Sequence, residues 1–260
     1  MPKSKLAQAL SSGRLAVTAE CLPPASGDAA AVKKLAAALP PSLDAVVVAD
    51  NCGEIHSSSL ACAAILAAEG RQTVLSMVTR DRNRIALQSD ALGAAALGIG
   101  AVLCLSGDHQ SLGVCPQAAG VHDIDSIQFA QALNRMRREG LDFNDRKLDT
   151  PPNWLVGAAA HPYLEPIELN LLRLRKKVAA GVDFVMTQAV TDLAGFTRWM
   201  NAVREAGLDT KVAILAGVDA DGGGAMAAQL KSVPGIRGIH ILSCGCKSSV
   251  ATVIQEAGLA

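Results

Sequence analysis

The chain has 260 residues, half of them apolar and 3% aromatic, with 24 basic and 24 acidic side chains. That balance gives no field of one sign, which removes the usual electrostatic support for binding duplex nucleic acid or a membrane surface. Seven scattered cysteines (Cys21, Cys52, Cys62, Cys104, Cys115, Cys244 and Cys246), odd in number and mostly within apolar runs, indicate reduced thiols and argue against a disulfide framework.

The amino terminus, MPKSKLAQALSSGRL, is charged but lacks an apolar h-region, and no later stretch offers eighteen unbroken apolar residues, so a cytoplasmic location is expected. The first strand signal is LAVTAE (15–20), which ends in Glu20 and runs into Cys-Leu-Pro-Pro; a helical pattern follows over 28–39. AVVVAD (45–50) ends at Asp50-Asn51, ahead of a helix over 57–69. TVLSMV (73–78) enters the charged turn Thr79-Arg80-Asp81-Arg82-Asn83-Arg84 and a helix over 82–97. AVLCLS (101–106) leads through Gly107 to Asp108, with a helix over 124–139. The polar stretch 141–153, ending in Pro-Pro, is expected to be the longest loop. WLVGAAA (154–160) precedes His161 and a helix over 165–180, and FVMTQ (184–188) ends in Gln188 before a helix over 193–206. KVAILA (211–216) is followed by Asp219, Asp221 and Gly222-Gly223-Gly224, which suggest a flexible turn before a helix over 225–231. GIHILS (238–243) leads to Cys244-Gly245-Cys246, which lacks the further ligands a zinc site needs, and to a last helix over 248–257. Glycines 70, 98, 140, 181, 207 and 258 stand where helices stop, and Ser57 and Asp192 where N-caps are expected.

Eight strand-helix units in strict alternation favour a closed (β/α)8 TIM barrel, with a doubly wound open sheet as the alternative. The first strand ends without a Gly-rich phosphate fingerprint, which disfavours the open sheet, and no linker divides residues 1–260, so one domain is expected.

In such a barrel the chemistry lies where strands end, which selects Glu20, Asp50, Asn51, Thr79, Arg80, Asp81, Asp108, His161 and Gln188. Glu20, held by a stiff Pro-Pro loop in a partly dry mouth, suits a proton donor, although a rim ion pair fits the position equally well. The arginine-rich turn fits either a solvated charge run or contacts to phosphate and carboxylate. Ser106-Gly107-Asp108 is either a plain turn or one that presents a carboxylate to a ligand.

Taken in order, Glu20-Cys-Leu-Pro-Pro, Asp50-Asn51, Thr79-Arg-Asp-Arg-Asn, Leu-Ser-Gly-Asp108, Gly157-Ala-Ala-Ala-His-Pro162, Arg-Lys-Lys177-Val-Ala-Ala-Gly-Val-Asp-Phe and Met-Thr-Gln188 resemble the ordered motifs of the methylenetetrahydrofolate reductases, closest to the short single-domain bacterial type. The resemblance implies a non-covalent flavin, FAD with FMN as the alternative, at the strand-end face, and hydride transfer to 5,10-methylenetetrahydrofolate giving 5-methyltetrahydrofolate. It places the oxidoreductase in one-carbon metabolism and methionine biosynthesis, as an oligomer. It makes Glu20 and Asp108 catalytic, sets Gln188 and Asp108 toward the folate, assigns Lys177 to the flavin phosphates, and maps Asp50, Thr79, Asp81 and His161 more loosely to the flavin side. The family's aromatic residues near Thr-Gln and after strand seven have no counterpart in Thr-Gln-Ala-Val-Thr-Asp or Gly-Val-Asp-Ala-Asp-Gly-Gly-Gly, so a redox partner subunit is expected in place of direct NADH or NADPH use. A flavin-bearing, non-catalytic relay subunit and a barrel acting on another pterin are the competing readings.

Overall fold

A computed structural model of the chain describes residues 4–52, 54–113, 115–243 and 249–259. The apolar runs form eight parallel strands: β1 (Ala16–Cys21), β2 (Ala45–Val48), β3 (Thr73–Val78), β4 (Ala101–Leu105), β5 (Leu155–Ala160), β6 (Phe184–Ala189), β7 (Ala213–Asp219) and β8 (Ile236–Leu242). Each pairs with the next, and β8 returns to β1 with Ala16 opposite Gly238 and Thr18 opposite His240, so the barrel closes and the open sheet is excluded. The helices are α1 (Lys5–Ser12), α2 (Ala29–Ala38), α3 (Ser59–Ala68), α4 (Arg84–Ala96), α5 (Ser126–Glu139), α6 (Ile167–Ala179), α7 (Leu193–Glu205), α8 (Gly223–Leu230) and α9 (Val250–Ala257). Among the described residues no helix is long and apolar enough to cross a membrane.

Alternation along the strands sorts their side chains into two cores. Val17, Ala19, Val46, Val48, Leu75, Met77, Val102 and Cys104 pack outward against the helices, while Ala45, Val47, Val74, Leu103, Phe184, Met186 and Leu215 fill the barrel. Helix α1, which the charged terminus did not announce, is capped by the Ser4 side chain and puts Leu6, Ala7 and Ala9 into the inner core with Ala16, Ala101 and Leu155. Arg237 Nη2 donates to Leu10 O at 2.6 Å, tying α1 to β8. The end where strands begin is thus closed by α1, and the end where they finish is left for chemistry.

The six helix-stop glycines all adopt positive φ, as expected. Other details differ. The N-cap of α3 is Ser58, and Ser57 Oγ instead donates to Pro24 O at 2.6 Å, pinning the loop after β2 to the loop after β1. Residues 141–153 do form an excursion, closed by a Leu141–Lys147 bridge, but the connection 106–125 is longer and lies on the strand-end side. Gly223 and Gly224 are no flexible turn: they are buried in the first turn of α8, where Val218 and Glu256 leave no room for larger side chains. Cys21, Cys62 and Cys104 are buried and Cys52 and Cys115 exposed; Cys244 and Cys246 lie outside the described residues.

Candidate active site

Inward alternation puts Thr18 and Glu20 in successive layers of β1, with Glu20 uppermost. Glu20 Oε2 accepts from the Ser243 amide at 3.3 Å, and Ser243 Oγ donates to Glu20 O at 2.8 Å, so the end of β8 holds the glutamate at the mouth. One layer down, Thr18 Oγ1 lies 3.1 Å from His240 Nδ1, and both residues are buried. Burial drives the imidazole down to about 4, so it is neutral at physiological pH. Thr18 and His240 escaped the sequence reading because only strand termini were considered; a polar residue two positions before Glu20 in an apolar strand was the available signal.

The turn after β3 is built of carboxylate clamps. Arg82 Nη1 and Nη2 donate to Asp50 at 2.6 and 3.2 Å, and Asp50 also accepts from Ser59 Oγ at 3.0 Å and from the Val78 amide at 2.9 Å. Its buried carboxylate is therefore engaged on both oxygens. Arg80 grips Asp81 through two bonds of 2.7 and 2.8 Å, which holds that carboxyl below its usual range. Arg84 does the same to Asp123, which falls to about 2. The three arginines thus serve the protein's own carboxylates, the carboxylate side of the contacts expected for this turn. Thr79 is buried within the 3-10 turn Thr79–Asp81, and Asn51 takes a positive φ of 47° at the rim.

Asp108 is exposed at the end of β4, and among the described residues no hydrogen bond or ion pair holds its carboxylate. His161 is exposed after β5; its carbonyl accepts from Nδ2 of buried Asn170 at 2.7 Å. Lys177 reaches from α6 to donate to Ala159 O at 2.5 Å, and burial lowers its pKa. Gln188 sits on a β-bulge at the end of β6, where pairing with β7 shifts register between Met186 and Ala189. Thr187 Oγ1 stabilises the bulge by donating to Gln188 O at 2.8 Å and accepting from the Gly217 amide at 2.9 Å. Gly217 is required here, since a Cβ would press into the carbonyls of Thr187 and Gln188. Tyr163, the chain's one tyrosine, leans from the β5 loop onto the β6 loop, its hydroxyl donating to Asp192 O at 3.0 Å and accepting from the Thr191 and Asp192 amides. Its ring lies against Gly195, so it braces the loop and does not supply the missing stacking aromatic.

The fold therefore brings Glu20, Asp108, His161 and Gln188 to one open face and sets Asp50 and Thr79 beneath it as supports. This face offers hydrogen-bonding groups that a polar cofactor could engage. His56, in the loop after β2, buries both ring nitrogens without a hydrogen-bond partner, and the carboxylate of Asp108 and the amide of Gln188 are unengaged among the described residues. Lys177 keeps two N–H donors beyond the one given to Ala159. A carboxyl over a neutral threonine-histidine pair, opposite unengaged hydrogen-bonding groups, is suited to proton transfer to a bound ligand.

Comparison with known proteins places the chain in a family. The family model described as methylenetetrahydrofolate reductase matches residues 5–220. Methylenetetrahydrofolate reductase 2 of Saccharomyces cerevisiae is 35% identical over an aligned length of 66, and the match covers 23% of this chain and 11% of that longer protein. Among solved structures, a protein from Clostridium thermocellum that binds two copies of 5-methyl-5,6,7,8-tetrahydrofolic acid superposes with a TM-score of 0.62 at 13% identity over 97% of both chains. A 2,3-dimethylmalate lyase superposes with a TM-score of 0.60 at 14% identity, over all of this chain and 86% of its own. At those identities the two structures share the fold alone.

Proposed function

The chain belongs to the methylenetetrahydrofolate reductase family, an oxidoreductase family, and from that premise we propose that it reduces 5,10-methylenetetrahydrofolate to 5-methyltetrahydrofolate with a bound flavin. The observation that carries the reading is Glu20 at the top of β1, above the neutral Thr18–His240 pair and on the same face as Asp108 and Gln188. The family match over residues 5–220 supports the substrate class.

In this reading the flavin, FAD with FMN as the alternative, supplies the hydride. Gln188, aimed by its bulge, and Asp108 hold the pterin by hydrogen bonds, which fixes the one-carbon unit at the cofactor's face. Glu20 gives a proton to the folate nitrogen that leaves the methylene carbon as the five-membered ring opens. His240 stays neutral below it and so adds no positive charge of its own beneath the carboxyl. On the flavin side Lys177 offers N–H donors to phosphate, His161 and His56 offer ring nitrogens, and Asp50, Thr79 and Asp81 act through the loops they fix.

The proposal extends to the electron donor. Stacking a nicotinamide on the flavin needs a ring-holding surface, and neither loop after β6 or β7 carries an aromatic residue while Tyr163 is held against Gly195. A protein partner is the donor that needs no such surface. The purified protein should be yellow, oxidise NADH and NADPH poorly, and turn over with reduced viologen. Colourless protein that takes up neither FAD nor FMN contradicts the cofactor, and brisk turnover with a nicotinamide contradicts the partner. Flavin that accepts electrons but is never reoxidised by folate makes the chain a relay subunit.

A further inference from the structure

Asp108 lies three residues past β4 in the long, exposed connection 106–125, and among the described residues no hydrogen bond or ion pair fixes its carboxylate, although the charge of Arg80 lies near it. A side chain so placed points where its backbone points. Among the described residues one side chain and its backbone hold that connection at three points around Asp108. The Arg80 amide donates to Ser106 O at 3.1 Å, on one side of Asp108, and Arg80 O accepts from the Val121 amide at 2.8 Å, near the far end of the connection. Between them Arg80 Nη1 donates to the carbonyl of Asp108 itself at 2.9 Å. Gly107 completes the arrangement with φ +80°, packed so close to Val78 and Arg80 that a Cβ there would lie 3.2 Å from Arg80 Cβ.

The guanidinium is in turn held by Asp81, which accepts from Nε and Nη2 and leaves Nη1 for Asp108. A planar fork engaged on two sides has little freedom, and the Arg80 side chain is only 14% exposed. From this geometry we propose that Arg80 is the positioning residue for Asp108, acting on ligand binding through the Asp108 backbone while touching neither ligand. Asp81 is the brace that orients the fork. The inference rests on the role given above to Asp108, and it assigns Asp81 to support of that residue in place of direct contact with the flavin.

The test is a double-mutant cycle on the flavin-loaded protein with Arg80→Gln, Asp108→Asn and the double variant, with the Kd of 5-methyltetrahydrofolate read from the flavin spectrum, alongside kcat and KM for methylenetetrahydrofolate. Thermal midpoints control for folding. Arg80→Gln should weaken folate binding by roughly tenfold or more, as displacement of a positioned group does. The double variant should be no worse than Asp108→Asn alone, because the two changes remove one interaction. Arg80→Lys, which keeps the charge but cannot bridge Asp81 and the carbonyl together, should fall between wild type and glutamine, and Asp81→Asn should weaken binding in the same direction. If Arg80→Gln does not fold, Arg80→Lys and Asp81→Asn carry the cycle. Independent effects that multiply in the double variant, or unchanged folate affinity when Asp108→Asn does lower it, overturn the inference alone. An Asp108→Asn variant that binds and reduces folate normally removes the role of Asp108, and the inference with it.

Discussion

Replacing His240 with glutamine should flatten the acid side of the protein's stability profile. In the folded barrel the imidazole is fully enclosed and titrates near 4, against 6.5 when exposed, because burial penalises its charged form; the Thr18 hydrogen bond offsets this only in part. As pH falls below about 6.5 the unfolded chain takes up a proton that the folded chain refuses, so stability is present above 6.5 and is lost on the way to about 4. At about 1.4 kcal/mol per pH unit the full loss is about 3 kcal/mol. Glutamine can still face Thr18 Oγ1 and carries no charge at any pH, so the variant should lack this loss although it starts from a lower stability at neutral pH. The lowered carboxyls of Asp81 and Asp123, held down by Arg80 and Arg84, fall mostly below this window, since they give up their contribution as pH falls below their unperturbed value of 3.8. The assay is denaturant unfolding of both proteins at several pH values between about 7 and about 4. Equal acid losses in wild type and variant would refute the neutral, buried histidine.

Glu20→Gln should keep the fold and the flavin while lowering folate reduction at least about a hundredfold, the usual scale of a general acid; full activity in steady-state assays removes Glu20 from that role. Arg82→Met leaves the Asp50 carboxylate buried without its cation and should cost about 3–5 kcal/mol, whereas Asp50→Asn combined with Arg82→Met should recover part of that; unfolding curves decide, and a single-variant loss near zero contradicts the clamp. Gly217→Ala forces a methyl group onto the Thr187 and Gln188 carbonyls and should destabilise by about 1–3 kcal/mol while loosening folate binding through Gln188; a stable variant with unchanged folate affinity would show that the bulge does not aim the glutamine.

The barrel was legible because most strands are short apolar runs closed by a polar residue, and several helices are periodic stretches ended by glycine. Glu20, Asp108 and Gln188 were legible for the same reason, as polar residues where strands stop. The partners of the arginine run were not. Arg82 meets Asp50 across 32 residues and Arg84 meets Asp123 across 39, and no local pattern announces which carboxylate folding will deliver. Thr18 and His240 were hidden differently: each is a polar residue inside an apolar strand and not at its end, and only closure of β8 onto β1 makes them a pair. Helix α1 was missed because its charged flanks masked three apolar positions, Leu6, Ala7 and Ala9, whose purpose appears only once there is a barrel end to fill.

The central claim is that electrons held by this protein's flavin pass to a folate-bound methylene group. The most direct measurement is a single anaerobic half-reaction: the protein loaded with FAD and chemically reduced, then mixed with 5,10-methylenetetrahydrofolate while the flavin absorbance is followed. The account predicts that the oxidised flavin band returns with formation of one 5-methyltetrahydrofolate per flavin, and that Glu20→Gln slows this return at least about a hundredfold without altering reduction of the flavin. A flavin that stays reduced in the presence of the folate, yet is promptly oxidised by an artificial acceptor, would contradict it.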